Sequence, residues 1–134
     1  MNAGAEWIVD AEGCSPEHLR DKKIIQQICE RLIADLNLQV VGEPMWHIFP
    51  EPGGVTGLYL LTESHIACHT YPEIGLATFN LYCCRPRPRW AWEENFSEML
   101  GATGVSVQYL QRGTDGIDFD STERIAFEME VREH

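Results

Sequence analysis

The chain has 134 residues, the length of one ordinary domain, and its 44% hydrophobic and 23% charged residues exclude a disordered composition. Ten Lys and Arg against 21 Asp and Glu leave a formal charge of −11, which argues against nucleic acid, whose backbone is gripped by clustered cations. No apolar run approaches the ~20 residues of a membrane span, and residues 1–6 lack a signal-peptide layout, so no membrane partner and a cytoplasmic location are expected.

Residues 7–14 predict a short strand ending in a turn at Gly13-Cys14. Ser15-Pro16 supplies an N-cap followed by a proline in the first helical turn. Ile24, Ile25, Ile28, Cys29, Leu32, Ile33 and Leu36 then recur at steps of one, three and four. They predict one amphipathic helix over about 16–36. Strands follow at 38–41, 45–49, 55–61, 65–71 and 74–84, with Pro50-Glu51-Pro52-Gly53-Gly54 forcing a turn. The Arg-Pro-Arg-Pro-Arg run at 85–89 cannot continue a central strand, because each proline removes a ladder donor. Residues 92–100 predict a helix closed by Gly101, 105–110 a strand, and the alternation of Ile125, Phe127, Met129 and Val131 an edge strand. This order predicts a single α+β domain over 1–134. It is a two-layer α/β sandwich, a mainly antiparallel sheet with helices on one face. The uncovered face favours dimerisation.

Five cysteines (Cys14, Cys29, Cys68, Cys83, Cys84) are odd in number and lack CxxC spacing, so reduced thiols are expected. The densest reactive cluster is Glu63-Ser64-His65-Ile66-Ala67-Cys68-His69-Thr70-Tyr71-Pro72-Glu73. On a strand, Ser64, Ile66, Cys68 and Thr70 share one face, and His65, Ala67, His69 and Tyr71 the other. These residues fit a half-buried structural strand, a metal site, or nucleophilic chemistry. The paired ligand spacing of zinc sites is absent, and no metal is expected. A serine hydrolase is unconvincing too, because there is no GxSxG elbow and no orienting acid at a triad-like interval.

The run ESHIACHTYPE resembles the processing-site signature of the small prokaryotic S-adenosylmethionine decarboxylases, E-S-H-x-x-x-H-T-x-P-E. Asp10, Gly13 and Cys14 match that family's D-x-x-G-C, His47 and Phe49 its H-x-F, and Gly54-Val55-Thr56-Gly57 its G-V-[ST]-G. Cys84 stands twenty residues after Ser64, where the family keeps a catalytic cysteine. The matches run in order from about Gly4 to Gly113, with one extra residue in the 50–54 turn.

The resemblance implies a pyruvoyl-dependent amino-acid decarboxylase of polyamine biosynthesis, most simply one acting on S-adenosylmethionine. It implies a break between Glu63 and Ser64, giving chains 1–63 and 64–134. Ser64 becomes the pyruvoyl group that forms a Schiff base with the substrate. His69 acts as processing base, Thr56 assists, and Cys84 donates the proton that replaces carbon dioxide. Phe49 and Glu73 are implied substrate contacts, and the family's small members form homodimers that share residues between sites.

Three departures bear on substrate. Ala11-Glu12 replaces a hydrophobic and aromatic pair, leaving Phe49 without a stacking partner unless Trp7 or Trp46 substitutes. Glu12 either binds a substrate cation or faces solvent. Arg85 replaces a glycine after Cys84, opening an arginine run that either clamps a carboxylate or is a solvated loop. A small cationic amino-acid substrate is expected. L-arginine or L-ornithine is the alternative, and an uncleaved homologue that serves as a binding or regulatory partner is a second.

Overall fold

The computed structural model describes residues 3–113 and the backbone of Thr122–Ala126. Seven strands form one sheet: β1 (Gly4–Glu12), β2 (Met45–Ile48), β3 (Val55–Leu60), β4 (Ser64–Tyr71), β5 (Leu76–Cys83), β6 (Gly104–Arg112) and β7 (Thr122–Ala126). Their order is β2-β3-β4-β5-β1-β6-β7, and every neighbouring pair is antiparallel. β1, first in sequence, lies between β5 and β6. The described strands before and after the Glu63–Ser64 bond therefore interdigitate within one hydrogen-bonded sheet.

Helices α1 (Pro16–Leu19), α2 (Lys22–Asp35) and α3 (Trp92–Leu100) cover one face. The period-two alternation turns Trp7, Val9, Ala11, Ile66, Cys68, Phe79, Leu81, Val105 and Val107 toward them. There they meet Ile25, Ile28, Cys29 and Leu32 of α2 and Trp92, Phe96 and Leu100 of α3. Each large aliphatic side chain so buried contributes about 1.5–3 kcal/mol. The two-layer architecture is the one expected from sequence.

The long helix expected over 16–36 is two helices. Thr70 Oγ1 donates to the Leu19 carbonyl at 2.8 Å, while the Lys23 N–H that would close that turn goes instead to Asp21 Oδ1 at 3.0 Å. Asp21 thus caps a second helix rather than continuing the first. The strand expected at 38–41 reduces to a single bridge between Val40 and Leu61, because Asn37 and Gly42 at its ends both take positive φ. At the chain end β7 does lie at the sheet edge, but Phe127, Met129 and Val131 fall outside the described residues.

Candidate active site

β3 turns into β4 tightly, with the Leu61 N–H donating to the Ser64 carbonyl at 3.0 Å. Ser64 opens β4, half-buried, in register with Cys83 at the end of β5. Cys84 follows the last paired residue of β5 with an exposed side chain, and its N–H makes the final hydrogen bond of the β4–β5 ladder. That N–H reaches the Glu63 carbonyl oxygen at 2.8 Å. Arg85 Nε lies 2.6 Å from Glu63 Oε1. The Glu63–Ser64 peptide is therefore gripped through both its carbonyl and its preceding side chain. A donor aimed at that oxygen polarises the carbonyl and meets the charge that nucleophilic attack would place there.

His69 is not beside Ser64. It sits five residues along β4, roughly 17 Å at strand rise, and on the opposite face. There it pairs across the ladder with Thr56, whose Oγ1 is 3.0 Å from His69 Nδ1. His47 stands in register with Thr56, and its ring meets Phe49 edge to face at 4.5 Å. Phe49, Glu51, Tyr71 and Glu73 line a cleft of about 230 Å³ at this end of the sheet. Its wall is shaped by Gly54, where a Cβ would come within 2.5 Å of the Thr70 carbonyl oxygen. The residues singled out in the sequence thus form two half-sites: Glu63, Ser64 and Cys84 at one end of β4, and Thr56, His69, Phe49 and Glu73 at the other.

The family model for S-adenosylmethionine decarboxylase matches residues 5–113. The chain belongs to that family. An S-adenosylmethionine decarboxylase proenzyme of Moorella thermoacetica is 31% identical over 82% of this chain and 87% of its own length. Its counterpart in Pyrococcus furiosus is 32% identical over 91% and 87%. The crystal structure of the adenosylmethionine decarboxylase of Aquifex aeolicus superposes with a TM-score of 0.72 at 27% identity, covering 86% of this chain and 94% of that one. Members of this family are lyases, and both half-sites lie within the matched span.

Some positions do not play the parts that the S-adenosylmethionine decarboxylase resemblance left open for them. Trp7 cannot stack opposite Phe49, because its ring is buried among Tyr109 (4.3 Å between centroids) and Trp92 on the helix side. Trp46 also turns to that side, lying over Gly57 and edge to face on Tyr59. The aromatic that does share the cleft with Phe49 is Tyr71, which the alternation put on the right face without suggesting a role. Glu12 is half-buried at the end of β1, opposite Gly104, and is not among the residues that line the cleft.

The thiols divide by environment. Burial, then the nearby Glu12 carboxylate, pushes Cys14 up to about 12. Burial also raises Cys83, against the opposing charge of Arg87. Cys29 is raised by its hydrogen bond with Cys68 and by burial. Cys84 alone among the cysteines is exposed. Among the described residues no three His, Cys, Asp or Glu side chains gather as metal ligands. His65 instead stacks on Tyr82 at 5.5 Å, away from His69. No helix of the described residues is long and apolar enough to cross a membrane.

Proposed function

We propose that the chain is a self-processing S-adenosylmethionine decarboxylase whose catalytic group derives from Ser64. The observation that carries this reading is the hydrogen bond from the Cys84 N–H to the Glu63 carbonyl oxygen, at the bond that would break. Ser64 Oγ attacks that carbonyl, and the amide nitrogen leaves as the new ester forms. Loss of the Ser64 α-proton then expels the Glu63 carboxylate. Hydrolysis of the remaining enamine releases ammonia and leaves a pyruvoyl group at the start of the 64–134 chain. Ser64 fits this role, being the first residue after a tight turn with its preceding carbonyl already held by a donor. The pyruvoyl ketone would supply an electron sink for decarboxylation of an α-amino acid.

The base for the α-proton is not within the same protomer's reach, since His69 lies on the other face at the far end of β4. A homodimer resolves this, with His69 of the partner subunit serving Ser64. The sheet face without helices carries Met45 at 71% exposure, Leu60 at 62% and Leu58 at 49%, an apolar patch suited to a second copy. The same packing brings the cleft of Phe49, Tyr71 and Glu73 to the other subunit's reactive centre. Its carboxylates suit the cationic centre of S-adenosylmethionine and its rings suit adenine. The exposed thiol of Cys84, one residue past the register partner of Ser64, would return a proton to the product carbon.

On a denaturing gel, the protein should run as two fragments, and Ser64→Ala as one. Wild type that remains whole supports the binding-partner alternative instead. Carbon dioxide release from S-adenosylmethionine, L-arginine and L-ornithine in parallel identifies the substrate. Release from arginine or ornithine alone would overturn the S-adenosylmethionine assignment.

A further inference from the structure

The segment 14–20, which opens the helix layer with α1, is hydrogen-bonded to the surroundings of the cleft at three points. The Cys14 N–H donates to the Gly75 carbonyl at 2.9 Å, just past the 3-10 turn Pro72–Ile74 that carries Glu73. The Leu19 carbonyl accepts from Thr70, which lines the cleft. Arg20 is exposed, and its Nε–H donates at 2.8 Å to the carbonyl of Pro52, another lining residue. This third tie is made by one long side chain across thirty-two residues of sequence. It lands on the 50–54 turn, where the chain is one residue longer than the resemblance expects. Pro50 and Pro52 have no N–H with which to brace that turn. Within it the Phe49 N–H donates to the Gly54 carbonyl and the Gly53 N–H to the Pro50 carbonyl, each at 2.8 Å. Gly53 takes a φ of +87°, and a Cβ there would stand 3.2 Å from both Cγ and Cδ of Arg20. The glycine thus lets the arginine stem lie against the turn and reach its carbonyl.

We propose that Arg20 is a positioning residue for the substrate, holding in place the turn that forms most of the cleft wall. This rests on the reading of the cleft as the binding place of S-adenosylmethionine and deepens it. Phe49, Pro50, Glu51, Pro52 and Gly54 all line the cleft, so a shift of the turn moves the stacking ring and a carboxylate together. Arg20 acts on them through the Pro52 carbonyl. Its own anchor is firm, because Thr70 ties the preceding residue, Leu19, to β4. A guanidinium donor makes a stronger hydrogen bond to a carbonyl than a neutral group does. A wall that is already ordered before binding spares the complex the entropy of ordering it. The reacting groups, Ser64 and Cys84, belong to the other half-site. Loosening the turn therefore weakens binding and leaves the chemical step alone.

The test compares the full protein with its Arg20→Gln and Arg20→Lys variants by two measurements. Amide hydrogen exchange, resolved by NMR, reads the turn without substrate. In Arg20→Gln the Phe49 and Gly53 amides are expected to exchange about fivefold faster, the factor for one modest hydrogen bond, while the Val55 amide, held by Thr70, keeps its wild-type rate. Carbon dioxide release from S-adenosylmethionine reads the function. There KM is expected to rise about fivefold in Arg20→Gln with kcat unchanged. Arg20→Lys, whose ammonium can donate to the same carbonyl, should lie near wild type in both measurements. Unchanged exchange in Arg20→Gln overturns the proposal, and so does faster exchange with an unchanged KM. A parallel fall in kcat and melting temperature overturns it too, since that marks a purely structural role. If wild type itself releases no carbon dioxide from S-adenosylmethionine, it is the decarboxylase reading that fails, and the exchange rates alone decide whether Arg20 holds the turn.

Discussion

Thr56 and His69 face each other across the β3–β4 ladder with 3.0 Å between Oγ1 and Nδ1, at the far end of the strand that Ser64 opens. The hydrogen bond between them fixes the imidazole ring, but it fixes it away from its own protomer's serine. In the proposed homodimer the pair would serve the other chain.

That arrangement predicts complementation. His69→Ala and Ser64→Ala should each remain uncut alone. When the two are unfolded together and refolded as mixed dimers, the His69→Ala chains should be cleaved, because their Ser64 meets an intact His69 from the other variant. Gel analysis of the mixture checks this. A mixture as uncut as its components would place the whole site within one protomer.

Cys84 has two separable parts. Its backbone N–H holds the Glu63 carbonyl, whereas its exposed thiol is the proposed proton donor. Cys84→Ala should therefore still yield two fragments but lose roughly 10²–10⁴ in kcat, the range of general acid catalysis. In the native protein iodoacetamide should modify Cys84 first. Cys14, its pKa pushed to about 12 by burial, should react only on unfolding. Peptide mapping distinguishes the two.

Thr70 is buried, and its hydroxyl donates to Leu19 while accepting the Val55 N–H at 2.9 Å. Thr70→Val keeps the shape and strands both backbone groups. The expected loss is about 3 kcal/mol in urea unfolding, from two buried groups left without partners.

Burial raises the Glu93 carboxyl, but the paired hydrogen bonds and charge of Arg89 outweigh it and hold the group below its ordinary 4.5. A depressed folded pKa contributes stability above the unfolded value and loses it as pH falls through the folded one. Wild type should therefore lose this increment below pH 4.5. Glu93→Gln should flatten that segment of the stability curve and cost about 2 kcal/mol at neutral pH. Chemical denaturation across pH checks both.

Much of this was legible in the chain. The apolar steps from Ile24 to Leu36, the alternation through β4 and β5, and the prolines at 86 and 88 each report a local period or a local prohibition. The motifs around Ser64 and Cys84 likewise stand in linear register. The break at Asp21 was hidden because it depends on Thr70, fifty-one residues from Leu19, capturing a carbonyl that the helix would otherwise use. Trp7 as a stacking partner failed for a similar reason. Its face was set by β1's place between β5 and β6, which no local pattern encodes.

The amino-acid order by itself determined which residues could do chemistry, because nucleophile, base and thiol are fixed by identity and spacing. Only the tertiary structure decided which of them can meet. A strand carries its side chains alternately to two faces at about 3.3 Å per residue. Ser64 and His69, five apart, are therefore driven to opposite faces and opposite ends, while Cys84, twenty away in sequence, is brought by the β4–β5 register onto the Glu63 carbonyl.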